Sequence, residues 1–164
     1  MLCILKKSSA LPHTIRDNIL FLHAFSGCDA TFTLFRQGKK KFMNILNSTE
    51  LQKVVNIFRD ENTCPDDIDE AGQKILMVLY GGKTVKELRS KLFQKSLIKN
   101  NFNLASPPPT TAAACEHSVR AYLQVQLWSG FAKSPLDWGW KETKHGLFPV
   151  TTHKEPAPPA FLSI

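Results

Sequence analysis

Asp29 closes a Gly27-Cys28-Asp29 tripeptide at the end of an apolar run, and nine residues later Gly38 precedes three lysines, Lys39, Lys40 and Lys41. A glycine lets the backbone come close to a ligand. A helix start offers free N–H groups, and lysines add positive charge. Arg36 lies just upstream as a further cation. Together these residues could hold a phosphodiester backbone. The lysines oppose the helix dipole, which favours acids in a first turn, at a cost of up to roughly 1 kcal/mol each. A bound phosphate would relieve that cost, and solvent screening would also lower it.

Metal-dependent cleavage of a phosphodiester asks for more. Two ions about 4 Å apart must be held by several converging carboxylates. Asp29 supplies one, and its other use is to cap the turn after Gly27. Upstream there is only Asp17, on a segment that reads as helix. The acids from Asp60 to Glu70 open a predicted helix, where the dipole already accounts for them. Cys28 has no base next to it in sequence, although His23 comes near if the helix end curls back. Cys115 and His117 are two apart on a predicted helix, so they point to different sides and make a poor metal pair. The chain has no glycine-rich phosphate loop, Ser-His-Asp candidate or dinucleotide fingerprint.

Composition narrows the partners. The 164 residues carry 21 Lys and Arg against 14 Asp and Glu, a net charge of +7. The isoelectric point is near 9.3, and such an excess favours a polyanionic partner. Length suits one domain with a real core. Cys3, Cys28, Cys64 and Cys115 are scattered, with no Cys-x-x-Cys pair. That pattern fits a reduced, intracellular chain better than a disulfide framework. No stretch approaches the length of a membrane span, and Met1–Leu5 is too short for a signal sequence. The chain reads as soluble and intracellular, with no membrane partner.

The elements that must position these residues are mostly helices. One runs from Pro12 to Ser26, with Ile15, Ile19, Leu20, Leu22 and His23 on its apolar face. The lysine-headed helix after Gly38 turns Phe42, Met43, Ile45 and Leu46 inward. Thr49-Glu50-Leu51-Gln52 is a capping box opening a helix to about Phe58. Pro65 opens the next helix, which runs through Ile75, Leu76, Val78 and Leu79 to Tyr80 and ends at Gly81-Gly82. A second capping box at Thr84 opens a helix to about Lys99. There Lys91, Lys95 and Lys99, with Lys83 before them, recur every four residues as a basic stripe that Glu87 interrupts. Prolines 107–109 make an extended linker, and Thr110 or Thr111 caps a last helix to Trp128. Its stripe is Val119, Tyr122, Leu123, Gln126 and Leu127. Beyond Gly130, two short strands flank a turn at Lys144-His145-Gly146. The tryptophans there serve more readily to pack a tail onto the body than to stack on bases.

Two resemblances bear on function. LHAFSGCDAT, LFRQGKKKF, KILMVLYGGK through ELRSKLF, NFNLASPPPT, VRAYLQVQLW, LDWGWK and PVTTHKEPAPPA resemble, in order, blocks of a family of transposon-derived proteins. In that family a cysteine-rich tesmin/TSO1-like CXC segment usually follows the Pro-Pro-Ala-Pro region. The resemblance implies that this chain is an internal piece of a larger protein. Within it, Leu22 to Phe42 is similar to the helix–two-turn–helix region of flap-endonuclease-like (PIN-like) nucleases. That similarity implies a metal-ligand role for Asp29, a tight turn at Gly38, and phosphate contacts from Lys40 and Lys41. Arg36 stands where the pattern carries a second glycine.

The expected architecture is mainly α, a five- or six-helix domain with a small irregular or two-stranded C-terminal piece. Residues 1–11 form a disordered lead, 12–100 the helical domain and 101–110 a proline-rich linker. Residues 111–152 hold the last helix and the tryptophan-rich hairpin, and 153–164 a flexible tail. The expected function is a non-catalytic remnant of a nuclease-like transposon protein. It would bind nucleic acid without sequence preference through Arg36, Gly38, Lys39, Lys40 and Lys41, with Lys91, Lys95 and Lys99 in support. No cofactor is expected; Mg²⁺ at Asp29 belongs to the alternative of a nuclease completed by missing segments. The other alternative is a protein-interaction module, with a partner the sequence does not name, or a remnant without selected activity. A nuclear location would suit the first reading.

Overall fold

A computed structural model describes residues 18–28, 31, 34, 37–46, 48–82, 90, 94 and 108–151, and among these five helices and a β-hairpin are delimited. The helices are α1 (Ile19–Ser26), α2 (Lys39–Ile45), α3 (Thr49–Arg59), α4 (Pro65–Tyr80) and α5 (Thr111–Trp128). A 3₁₀ turn at Pro135–Asp137 leads into strands β1 (Trp140–Thr143) and β2 (Gly146–Pro149). The expected mainly α class with a small two-stranded piece is what the chain adopts. Asp29, Arg36, the lysine stripe at Lys91, Lys95 and Lys99, the lead 1–11 and the tail 153–164 all lie outside the described residues.

α1 is apolar nearly all round, so its own periodicity does not choose which side faces in. Its neighbours choose: Phe21, Leu22, Ala24 and Phe25 are buried, while Ile19, Leu20 and His23 are only half-buried. Phe25 lies at the centre of an aromatic cluster. Its ring is 5.4 Å from Phe21, 6.0 Å from Phe42, and edge-on to both Phe58 at 5.6 Å and His117 at 4.9 Å. Offset and edge-to-face contacts of this kind add about 1 kcal/mol each beyond area burial.

α4 follows the local signals closely. Pro65 sits in its first turn with Asp66 and Asp67, and Gly81 ends it in the left-handed conformation, φ 72°. Gly81 N–H and Gly82 N–H both donate to the Met77 carbonyl, at 2.8 and 3.0 Å. Ile68, Ala71, Ile75, Leu76 and Leu79 face the core. Val78 is 48% exposed. It lies on the side of α4 that borders an open groove.

α5 runs through the same core, packed against α1, α3 and α4. The Thr110 hydroxyl accepts from Ala113 N–H at 3.1 Å, the N-cap expected from its side chain. The crossing with α4 is close because Gly72 has no side chain: a Cβ there would lie 1.8 Å from Ser118 Oγ. α5 is also buried beyond its apolar stripe. Glu116, His117, Ser118, Arg120 and Gln126 are all inside, whereas Leu127, expected on the stripe, is 41% exposed.

These buried polar groups find specific partners. Tyr122 Oη donates to the carbonyls of Asp60 and Glu61, both at 2.9 Å, and Gln126 Nε2 donates to the Phe58 carbonyl at 2.9 Å. Phe58 is one of the carbonyls α3 leaves free at its C-terminus, and Asp60 and Glu61 lie just beyond that end. The hairpin is held to α5 by Arg120, whose guanidinium donates to the carbonyls of Val150 at 2.9 Å and Gly139 at 3.3 Å. Val150 N–H donates back to the Gly139 carbonyl at 2.9 Å. Gly139 takes φ 78°, and a Cβ there would crowd Arg120, Glu116 and Val119 at 3.1 Å each. Trp138 packs on Tyr122 with ring centroids 4.7 Å apart, and Lys133 lies over both rings. Trp138 therefore fastens the tail to the body, as expected of the pair.

Candidate nucleic-acid interface

α2 carries the lysines, and it is pinned at both ends. Phe42 and Leu46, one helical turn apart, are fully buried and hold its inner side. Before it, Gln37 is buried near the Tyr80 phenol at the end of α4. Burial raises the pKa of that phenol, and the nearby Gln37 amide pulls it part of the way back. After it, Gln52 Nε2 donates to the Leu46 carbonyl, and Asn18 Nδ2 donates to Gln52 Oε1 at 2.8 Å. Gln52 is thus used across the fold. The expected capping box at Thr49 is not formed: Ser48 is the N-cap, and no side chain caps α3.

With its inner side fixed in this way, α2 presents Lys39, Lys40 and Lys41 to solvent. No acid lies in its first turn. Among the described residues none of the three lysines takes part in an ion pair; the pairs are Lys74 with Glu70 at 2.6 Å and Arg120 with Glu116 at 3.6 Å. Gly38 is exposed and caps the helix at φ −67° and ψ 159°, an extended conformation open to any residue. A Cβ there would meet nothing within 4 Å. The geometry therefore gives no steric reason for glycine at this bend, and α2 has only 7 residues. What remains at the site is charge, three adjacent ammonium groups on a rigidly seated turn.

Beside the lysines, a groove of about 730 Å³ runs between α2, α3 and α4. Ile45, Leu51, Val54, Met77 and Val78 supply its apolar lining, with Lys53, Lys74 and Glu50 around them. A second basic patch lies on the hairpin, where Lys141, Lys144 and His145 are exposed next to Phe148.

The acids of α4 have local uses. Asp67 Oδ2 accepts from the Cys64 thiol at 3.1 Å, Asp69 Oδ2 accepts from Gln73 at 3.0 Å, and Glu70 pairs with Lys74. Among the described residues no three His, Cys, Asp or Glu side chains converge as metal ligands. The Cys115 thiol is pushed up to about 11 by burial, and then by the charges of Asp69 and Glu116. It stays protonated and makes a poor nucleophile at neutral pH. His117 points away from it and bonds the Phe25 carbonyl at 2.9 Å, in keeping with the expected divergence of the two residues. Cys28 Sγ lies 3.4 Å from Thr31 Oγ1, and His23 stacks on Trp128 with centroids 5.3 Å apart.

Sequence reading passed over the buried Glu116–Arg120 pair and its grip on the hairpin. A signal was present, since a Glu four residues before an Arg on a helix is a standard ion-pair spacing. That such a pair would be inside depended on the hairpin folding back over it.

Among the described residues these features define a mainly α fold with five delimited helices, a two-stranded antiparallel hairpin and two exposed basic patches. No described helix is long and apolar enough to cross a membrane. No family model, curated protein or solved structure matches the chain.

Proposed function

We propose that the protein is a non-catalytic nucleic-acid-binding domain, derived from a nuclease-like transposon protein, that grips the phosphate backbone without reading sequence. The observation that carries this reading is the run Lys39-Lys40-Lys41, exposed on an anchored helix and free of ion pairs among the described residues. Three adjacent charges with no carboxylate partner among the described residues suit a phosphate backbone, whose regularly spaced charges attract cations whatever the base sequence. The net charge of +7 adds long-range attraction. An intracellular, nuclear setting goes with this role.

The test is binding to a labelled DNA duplex over a salt series. Affinity should fall steeply with salt, and Lys40→Ala/Lys41→Ala should lower the slope of log K against log salt by about 2, roughly 0.9 for each phosphate no longer neutralised. Both side chains are exposed, so the variant should keep the wild-type unfolding midpoint. A flat salt dependence in the wild type, or an unchanged slope in the variant, would overturn the reading.

A further inference from the structure

The β-hairpin separates its charges by face. In the register of β1 and β2, Lys141 pairs with Phe148 and Glu142 with Leu147. Side chains alternate along a strand, so Lys141, Thr143 and Phe148 share one face and Trp140, Glu142 and Leu147 the other. The first face borders a shallow, open depression of about 470 Å³, lined also by the turn residues Lys144 and His145 and by Pro149 and Thr151. No carboxylate is among the described residues that line it, because alternation sends Glu142, the one acid of the hairpin, to the back. Phe148 is 45% exposed. Close to half of this large residue is open to water beside Lys141 and Lys144.

The platform is also held in place. Arg120 clamps its base through the Val150 and Gly139 carbonyls. Its tip is set by Thr143 Oγ1, which donates to the Gly146 carbonyl at 3.0 Å and accepts from His145 N–H at 3.2 Å. A preorganised aromatic face between cations is the chemistry that takes an unpaired base together with its phosphate. Stacking on an aromatic side chain contributes whichever base is present, while neighbouring lysines follow the backbone.

We infer that the concave face of the hairpin is a single-stranded nucleic-acid site, with a base stacked on Phe148 and adjoining phosphates held by Lys141 and Lys144. Duplex DNA cannot use the ring, since its bases are already stacked. The inference rests on the nucleic-acid reading above but uses a different surface from α2, so the two can fail separately.

The experiment is fluorescence anisotropy of the full chain with a labelled oligothymidylate and with a labelled duplex, under one buffer and over a salt series. Phe148→Ala should weaken oligothymidylate binding roughly tenfold, within the range seen for removal of one stacked base, and leave duplex binding unchanged. Phe148→Trp should restore it. Lys141→Gln/Lys144→Gln should reduce the single-strand salt slope by roughly 1.4, at about 0.7 per phosphate. If Phe148→Ala binds oligothymidylate like the wild type while Lys40→Ala/Lys41→Ala still weakens the duplex, the hairpin site is wrong and the α2 reading stands. If the reverse pattern is seen, the hairpin site stands and the α2 reading falls. A wild-type chain that binds neither probe overturns both.

Discussion

His117 gives the fold a built-in acid sensitivity that can be measured. Its ring is buried at the centre of the core, edge-on to Phe25, with Nε2 facing the Phe25 carbonyl at 2.9 Å. A carbonyl only accepts, so Nε2 carries the hydrogen and donates it. Burial disfavours the imidazolium and lowers the pKa to about 4; the Phe25 carbonyl opposes that shift, and the Arg120 charge adds to it. An unfolded histidine titrates near 6.5. Between about pH 6.5 and 4 the unfolded chain therefore holds the extra proton, so stability falls as pH falls through that window and is fully present above it. The difference of about 2.5 units corresponds to about 3 kcal/mol in all, and about 2 kcal/mol of it is lost between about pH 7 and pH 5. For a chain with a typical stability of about 5–15 kcal/mol that is a large share. The assay is urea unfolding of the wild type and His117→Gln at the two pH values. Gln keeps a donor for the Phe25 carbonyl and cannot take up the proton. The wild type should lose about 2 kcal/mol more than the variant on acidification. Every other histidine and carboxylate is present in both chains, so their effects cancel in the difference. Equal losses would refute the reasoning, whatever the variant costs at neutral pH.

Two further perturbations probe the packing around α5. Gly72→Ala puts a methyl 1.8 Å from Ser118 Oγ and 2.7 Å from Ser118 Cβ, so α4 and α5 must separate; a loss of about 3 kcal/mol in urea unfolding is expected, partly recovered in Gly72→Ala/Ser118→Gly. Arg120→Met withdraws the cation from Glu116, whose side chain is 8% exposed, and should cost about 3 kcal/mol. It should also release the hairpin before the body unfolds, seen as faster amide exchange at Val150, whose N–H bonds Gly139 next to the clamp.

How much of this could be read from the chain depends on how local the cause is. The limits of α4 were legible because Pro65, the acids after it and Gly81 act within one turn of themselves. The Thr110 cap and the hairpin turn were legible for the same reason. At Thr49 the local signal lost, because Gln52 found longer-range partners in the Leu46 carbonyl and Asn18. Leu127 was expected on the apolar stripe of α5 and is exposed. Periodicity marks an apolar side of a helix but not which part of it another element will cover.

The candidate site divides in the same way. Three lysines in succession after a glycine are plain in the sequence, and their exposure on α2 follows from Phe42 and Leu46 being the residues drawn inward. The hairpin face was not legible, since only strand register shows that Lys141 and Phe148 share a side while Glu142 lies on the other.

From the amino-acid order alone came the helical class, several helix limits, the terminal hairpin and the basic balance of the chain. These depend on residues within a few positions of each other and on sums over the whole composition. Only the tertiary structure decided that α5 would bury His117, Glu116 and Arg120, that Gly72 would let two helices touch, and that Gly38 needs no special backbone. Those outcomes depend on which distant groups meet, such as Phe25 with His117 or Val150 with Arg120, and no local pattern carries that information.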